Sequence, residues 1–213
     1  MQIQKLKKLI SKILLKYNLN KKDAEICTKA LINAELVGAP SHGVSRLKMY
    51  CERINKKVIN PKPKIKIKRV TNSVSLINAD NSIGFVAADT GIKETIKIAK
   101  KTGIAFVGIK NSGHYGLSGY YIEQAVKKNL LAFAFTNAPP AIAPHGGKKT
   151  IFGTNPICFG SPTNNNIPFI LDTSISMINR GKIRVAAKLN KSIPKGVALD
   201  LSLIHISEPT RLS

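Results

Sequence analysis

The stretch IAFVGIKNSGHYGLSGYYIEQAVKKNLLAFAF, residues 104–135, contains the pattern that decides the fold class. Its apolar run at 104–109 predicts a buried strand, and the apolar run at 130–135 predicts a second strand. A glycine-rich loop and a helical pattern over 120–125 lie between them. Strand, helix and strand in this order predict an α/β protein with a mixed or parallel sheet and helices packed on it.

The residues on either side of this stretch extend the same architecture. Helical spacing predicts one helix over 3–17, a second capped by Asn20 and ending near Gly38, and a third segment from Pro40 to about Ile59. Further strands are predicted at 65–70, 74–77, 157–159 and 169–171, with helices at 84–101, closed by Gly103, and at 179–189. The sequence therefore predicts a helical N-terminal segment that is followed by a mixed sheet with flanking helices.

Length and hydropathy indicate a protein with a hydrophobic core. The chain has 213 residues, of which 43% are hydrophobic, enough for one large domain or two small ones. It has no apolar run of the roughly 18–20 residues that cross a bilayer, and its first residues do not resemble a signal peptide. We expect a cytoplasmic protein without a membrane partner.

The formal net charge of +23 permits a nucleic-acid-binding protein, since lysine-rich surfaces attract phosphates. The lysines are, however, spread along the chain among many Ile and Asn residues, as codon bias in an AT-rich genome produces. No zinc-finger, RNP-type or basic-zipper pattern is present. We expect no nucleic-acid partner, and a basic nucleic-acid-binding protein stays as an alternative.

The three cysteines, Cys27, Cys51 and Cys158, are widely spaced. An odd number without a Cys-x-x-Cys pair predicts neither a disulfide framework nor a zinc site. Cys27 and Cys158 fall on apolar patterns and are predicted to be buried thiols. No cluster of metal ligands is found, and His145 is interpreted as a loop residue, so no metal is predicted.

The loop GHYGLSG, residues 113–119, lies where a dinucleotide-binding loop would follow its strand. Its spacing is G-x-x-G-x-x-G instead of G-x-G-x-x-G, and the next strand ends in Thr136-Asn137 without an acidic residue for a ribose. These differences exclude an ordinary Rossmann domain. The glycines suit either a tight turn with positive φ or a loop that lets His114 approach a ligand.

The run SHGVSR, residues 41–46, places a histidine four residues before an arginine. On a helix, His42 and Arg46 would share one face and converge on one small anion. Histidine exchanges protons near neutrality, and the arginine fork binds a carboxylate with two hydrogen bonds. This pair suits a 2-hydroxy or 2-oxo acid.

Five segments, taken together, resemble one family. They are Ala34 to Leu47 with its Ser41-His42-Gly43 centre, Gly113 to Gly116 followed by Gly119-Tyr120-Tyr121, Thr136 to Pro144 leading to Gly153-Thr154-Asn155-Pro156, Pro168 to Asp172, and Arg180 to Arg184. Their order over residues 5–200 resembles the non-Rossmann malate/L-lactate dehydrogenase family. That family includes ureidoglycolate and sulfolactate dehydrogenases, diketogulonate reductase and piperideine-carboxylate reductase.

The resemblance implies an oxidoreductase that transfers a hydride between NAD or NADP and a 2-hydroxy or 2-oxo acid, in a homodimer with a non-Rossmann nucleotide fold. It implies His42 as proton donor and His114 as proton acceptor. It implies Ser41 and Arg46 as substrate-binding residues, with Arg46 at the substrate carboxylate. The implied cofactor-binding residues are Asn137, Thr154, Asn155, Asp172, Thr173, Ser174 and Lys182. Ala138 stands where many members have a serine, which removes a hydroxyl from that position.

The resemblance also predicts how the chain is divided into domains. We expect a substrate-site segment over 1–72 and a nucleotide-binding domain over 73–200. Residues 201–213 depart from the family pattern and resemble a translated sequencing adapter, so the sequence is predicted to be a fragment with an incomplete fold. Both an active and an inactive fragment are compatible with this prediction. A non-catalytic homologue that binds a small acid is the other alternative.

Overall fold

The structure, a computed structural model, describes residues 2–144, 147, 149–165, 167–178 and 180–198, the side chain of Arg180 excepted. In chain order its elements are α1 (Ile3–Lys16), α2 (Lys21–Leu36), two 3-10 turns (Pro40–His42 and Val44–Arg46), α3 (Leu47–Asn55), β1 (Lys66–Arg69), β2 (Val74–Ser82), α4 (Gly84–Thr102), β3 (Phe106–Ser112), α5 (Gly119–Val126), β4 (Ala132–Phe135), β5 (Ile157–Ser161), β6 (Phe169–Thr173) and α6 (Arg180–Lys188). This mixture of helices and sheets confirms the α/β class.

Two compact units make up the chain. The first unit contains residues 1–132 and 160–170, and the second contains 133–159 and 171–213. The boundary predicted at 72/73 falls inside the first unit, in the turn between the antiparallel strands β1 and β2. The predicted tail, 201–213, lies outside the described residues.

The first two helices form as the apolar spacing predicts. Helix α1 buries Ile10 and Leu14, and α2 begins at Asn20, whose side chain accepts a hydrogen bond from the Asp23 amide at 2.9 Å. This bond satisfies one of the amides that an α-helix leaves without a partner in its first turn. Cys27 is fully buried among the core side chains, as predicted for a thiol on an apolar helix face.

The segment after Pro40 differs from the predicted continuous helix. Two 3-10 turns precede α3, and between them Gly43 has φ −93° and ψ −142°, outside the helical region. His42 and Arg46 therefore lie on successive turns and not on one face of an α-helix. The helical prediction was wrong because Gly43 interrupts the backbone hydrogen bonding.

The first sheet has the order β1-β2-β3. Strand β2 pairs antiparallel with β1 and parallel with β3, in a register that places Ile77 beside Ile109. The sheet is therefore mixed, as predicted. Helix α4 connects β2 to β3 and ends at Gly103, whose φ of +78° gives the expected left-handed cap.

Two expectations about the strands were wrong. Strand β3 was predicted to be buried, but it lies at the edge of its sheet, and the Phe106 side chain is 65% exposed. One sheet was expected, whereas β4, β5 and β6 form a second three-stranded sheet in the order β4-β5-β6. In that sheet Cys158 is fully buried, as predicted.

Candidate active site

Two histidines that are distant in the sequence meet in the first unit. The rings of His42 and His114 are stacked, with centroids 5.7 Å apart and planes inclined by 18°. His42 closes the first 3-10 turn, and His114 follows the carboxyl end of β3. Since ligands of α/β proteins gather at the carboxyl ends of parallel strands, this pair marks a candidate site.

The His42 turn is held by hydrogen bonds from the surrounding chain. The Glu35 carboxylate accepts the Val44 amide at 2.7 Å, and the Arg46 Nε–H donates to the Ser41 carbonyl at 2.6 Å. Ser41 Oγ and His42 Nδ1 are 3.0 Å apart. The turn is therefore fixed at both ends, and Arg46 stays beside it.

A Cβ atom at position 43 would collide with the Glu35 side chain. Gly43 thus lets Glu35 approach the turn, which explains why a glycine follows His42.

His114 is held by α3 and by its own loop. The Tyr50 hydroxyl lies 2.6 Å from His114 Nδ1, and the Gly116 amide donates to the same nitrogen at 3.3 Å. A Cβ on Gly84, the first residue of α4, would collide with the backbone of Gly113 and His114. Glycine at position 84 therefore allows α4 to pack directly on this loop.

The glycine loop contains the tight turn that is one of the two alternatives left open by the sequence. Of the three loop glycines Gly113, Gly116 and Gly119, Gly116 has a positive φ, +81°, and a Cβ there would press on the Phe85 ring at 2.7 Å. His114, which precedes this turn, is half-buried. Its approach to a ligand stays a prediction.

The electrostatic surroundings keep His114 neutral. Burial, together with the smaller effects of His42, Arg46 and Arg53, lowers the pKa of His114 to about 4. Burial also raises the pKa of the Tyr50 phenol, so its hydroxyl keeps its proton. The site thus presents a neutral histidine beside arginine cations.

Tyr50 and Glu35 were not predicted as site residues. Tyr50 is almost completely buried, at 1% exposure, and it follows Arg46 by four residues, so the spacing that drew attention to His42 and Arg46 also points to Tyr50. Its contact with His114 spans 64 residues of chain, which no local pattern reveals. Glu35 lies in the matching segment, but its bond to Val44 depends on the turn geometry.

The second unit brings together three of the segments predicted to bind the cofactor. Asn155 Oδ1 accepts the Ala138 amide at 2.9 Å, and the Thr154 carbonyl accepts the Ile175 amide at 3.0 Å. These bonds join the loop after β4 to the turn before β5 and to the residues after β6. Asn137, Thr154, Asn155, Thr173 and Ser174 all lie in these joined segments.

Close packing of the backbone shapes the turn at Thr154. A Cβ at Gly153 would collide with the Ala138 carbonyl, and Asn155 has a positive φ of 30°. Ala138 uses its backbone amide here, so the missing serine hydroxyl does not affect this contact.

The remaining predicted cofactor residues lie at the end of β6 and in α6. Asp172 and Thr173 close β6, and Lys182 lies in the first turn of α6. Burial, together with the smaller effect of the Asp172 charge, raises the pKa of the Cys158 thiol to about 12. Amide, hydroxyl and ammonium groups are the kinds of groups that bind ribose hydroxyls and phosphates.

Among the residues that the structure describes, no group of three or more His, Cys, Asp or Glu side chains is arranged to bind a metal ion. His145 lies outside the described residues. None of the described helices has the length and apolar composition that would span a membrane.

The site and the fold agree with one enzyme family. The family model described as malate/L-lactate dehydrogenase matches residues 1–211, and the chain belongs to this family.

The chain is also similar to individual proteins over most of its length. The chain is 40% identical over 192 residues to a malate/(S)-sulfolactate dehydrogenase from Methanothermus fervidus, covering 90% of this chain and 56% of the relative. It is 31% identical over 204 residues to an Escherichia coli ureidoglycolate dehydrogenase (NAD(+)), covering 96% and 58%. The crystal structure of malate dehydrogenase from Entamoeba histolytica superposes with a TM-score of 0.94 at 31% identity, covering 98% of this chain and 58% of that one. The chain thus spans somewhat more than half the length of these relatives.

Proposed function

We propose that the protein to which this chain belongs is an NAD- or NADP-dependent dehydrogenase of a 2-hydroxy acid, and that the first unit holds the acid. The observation that carries this proposal is the stacking of His42 on His114 at 5.7 Å, with Arg46 close enough for its charge to lower the pKa of His114. Its support also comes from the names of the relatives, which act on malate, sulfolactate or ureidoglycolate.

Arg46 binds the substrate carboxylate. Its guanidinium is fixed at Nε by the Ser41 carbonyl, so its orientation is set before the acid arrives. A planar guanidinium forms charge-assisted hydrogen bonds with a carboxylate. Fixing the carboxylate orients the neighbouring carbonyl or hydroxyl carbon for reaction.

The two histidines act at the reacting oxygen. Reduction of a 2-oxo acid develops negative charge on the carbonyl oxygen, and oxidation of a 2-hydroxy acid releases a proton from the same atom. His42 donates that proton in one direction and accepts it in the other, with Ser41 orienting its ring through Nδ1. A hydrogen bond from His114 stabilises the charge on the oxygen.

The joined segments of the second unit suit a dinucleotide. Their hydroxyl and amide groups, from Asn137, Thr154, Asn155, Thr173 and Ser174, fit ribose and phosphate oxygens, and Lys182 and Asp172 supply charges for a phosphate and a ribose hydroxyl. When bound, the nicotinamide supplies or accepts the hydride. NAD and NADP are both compatible with this set.

The proposal also includes the assembly of the protein and its cellular location. The resemblance supports a homodimer, which light scattering of the purified chain tests directly. The cysteines among the described residues, Cys27, Cys51 and Cys158, are all free and buried, as suits the reducing cytoplasm.

A panel assay tests the function. The full-length protein to which the chain belongs is mixed with NADH or NADPH and with each of the 2-oxo acids that correspond to malate, lactate, sulfolactate and ureidoglycolate, and absorbance is followed at 340 nm. We expect a loss of absorbance that requires both the acid and the cofactor. A folded full-length protein that oxidises neither cofactor with any of these acids would contradict the proposal.

A further inference from the structure

One nitrogen of His114 receives two hydrogen bonds. Nδ1 lies 2.6 Å from the Tyr50 hydroxyl and 3.3 Å from the Gly116 amide nitrogen, whose N–H points at it. Within the described part of the chain, both of these hydrogen-bonding contacts of the His114 side chain are made at one edge of the ring. Nε2 lies on the opposite edge.

These two contacts determine which ring nitrogen carries the proton. A backbone amide only donates, so the Gly116 N–H requires a lone pair on Nδ1. With Nδ1 unprotonated, the Tyr50 hydroxyl is the donor in the shorter contact. A neutral imidazole with a bare Nδ1 has its proton on Nε2.

We propose that Tyr50 is a positioning residue that holds His114 as the neutral tautomer protonated at Nε2. His114 then offers a substrate oxygen a hydrogen bond from Nε2–H and has no nitrogen left to accept a proton. Within the proposed function, on which this step rests, proton exchange belongs to His42 alone. This assignment differs from the proton-acceptor role that the family resemblance implies for His114.

The charged groups around His114 also favour the neutral imidazole. The charged or titratable groups that act on it are His42 from the first 3-10 turn, Arg46 from the second and Arg53 from α3. All of these groups are basic, and each disfavours a second proton on the imidazole. Tyr50, buried at 1% exposure and in contact with the Phe85 ring at a centroid distance of 4.9 Å, has little freedom to turn its hydroxyl elsewhere.

The imidazole nitrogens of the ¹⁵N-labelled chain report the tautomer directly. Long-range ¹H–¹⁵N correlation spectra distinguish a protonated from a bare ring nitrogen, and the His114 signals are identified by their loss in His114→Gln. We expect a bare Nδ1 and a protonated Nε2 at pH 7. A protonated Nδ1 in the unmodified chain would overturn the proposal.

Two tyrosine variants separate positioning from packing. Tyr50→Phe removes the hydroxyl that faces Nδ1, and we expect the Nδ1 signal of His114 to shift and the second tautomer to become populated. Tyr121→Phe is the matched control, because Tyr121 is also buried and its hydroxyl donates one hydrogen bond, to the Tyr115 carbonyl at 2.9 Å. Tyr121→Phe should leave the His114 signals in place; equal effects of the two variants would refute a specific role of Tyr50.

Turnover provides a second and separate readout. Loss of one hydrogen bond of ordinary strength corresponds to about a 10-fold fall in kcat for Tyr50→Phe, with KM for the acid nearly unchanged. A chain that shows the expected tautomer but no turnover would defeat the proposed function and leave the tautomer assignment intact. A Tyr50→Phe variant with normal kcat and an unchanged His114 spectrum would defeat the positioning role.

Discussion

The two units of the chain differ in how their side chains are buried. The first unit holds its candidate site against a hydrophobic core that includes Leu31 and Phe85, both fully buried. Among the described residues of the second unit, the buried hydrophobic side chains are Cys158 and Ile193, whereas Phe133 and Phe135 are 61% and 65% exposed. Each buried apolar side chain adds about 1.5–3 kcal/mol of stability. Burial of apolar side chains therefore stabilises the first unit more than the second.

The difference in burial predicts that the two candidate sites differ in rigidity. The residues that we propose to bind the acid, His42, Arg46 and His114, are fixed by hydrogen bonds to groups within the same unit. The predicted cofactor residues lie mostly on turns between exposed strands, which open more readily than a packed core. We therefore expect a preformed acid site and a less rigid nucleotide site.

The largest expected effect is on catalysis. Replacing His42 by alanine removes the group that we propose to exchange the proton, and general acid–base catalysis contributes about 10²–10⁴-fold. We expect kcat to fall by that factor, with cofactor affinity little changed, as measured at 340 nm and by NADH titration. Met177→Ala in the second unit, at a side chain that is 83% exposed, is the control; normal turnover in the His42 variant would remove His42 from the mechanism.

The free energy of unfolding of one variant in each unit compares how well the two units are packed. Leu31 is fully buried and Leu171 is 49% exposed. Leu31→Ala should lower the free energy of unfolding by about 2–5 kcal/mol, and Leu171→Ala by about 0.5 kcal/mol or less. Urea unfolding followed by circular dichroism measures both, and similar losses for the two leucines would show that the units are equally well packed.

The next prediction concerns the planar guanidinium of Arg46 in the first unit. Arg46→Lys keeps the charge but loses the planar fork, and a charged hydrogen bond contributes about 1.5–3 kcal/mol. The KM for the acid should therefore rise about 10–100-fold while kcat changes less. A variant with unchanged KM but reduced affinity for NADH would place Arg46 at the nucleotide and not at the acid.

The smallest expected effect is a pH dependence of stability that belongs to the first unit. The pKa of His114 is about 4 in the folded chain and has an ordinary value of 6.5, so between these pH values the unfolded state binds the extra proton. Acidification therefore favours unfolding in this window, and the contribution is fully present above pH 6.5. We expect the free energy of unfolding to be lower by about 2 kcal/mol at pH 5 than at pH 7.5 on account of this residue.

His114→Gln isolates that contribution. The loss of stability between pH 7.5 and pH 5, measured by urea unfolding, should be smaller in the variant by the amount that His114 contributes. Identical losses in the variant and the parent would show that His114 titrates normally.

Local patterns predicted the helices well because a helix depends on contacts three and four residues apart. Helices α1, α2 and α4 and the caps at Asn20 and Gly103 were predicted from spacing alone. The turn at Gly43 was missed because the helical spacing on either side of it concealed the break. The separation of the strands into two sheets depends on pairing between distant segments, which periodicity does not encode.

The candidate site was predicted in part. His42, Arg46 and His114 were selected from their motifs, and the structure brings the two histidine rings together. Their roles and the cofactor residues stay predictions. The Tyr50–His114 bond was beyond sequence reasoning, since Tyr50 also fits the apolar face of α3, where a buried aromatic side chain needs no further explanation.

Titration of the ¹⁵N-labelled chain with malate tests the central claim most directly, because it observes the acid site without requiring turnover. The account predicts saturable shifts of the ring signals of His42 and His114, which disappear in Arg46→Ala. Unshifted histidine signals at saturating malate, or equal shifts in the parent and in Arg46→Ala, would contradict it.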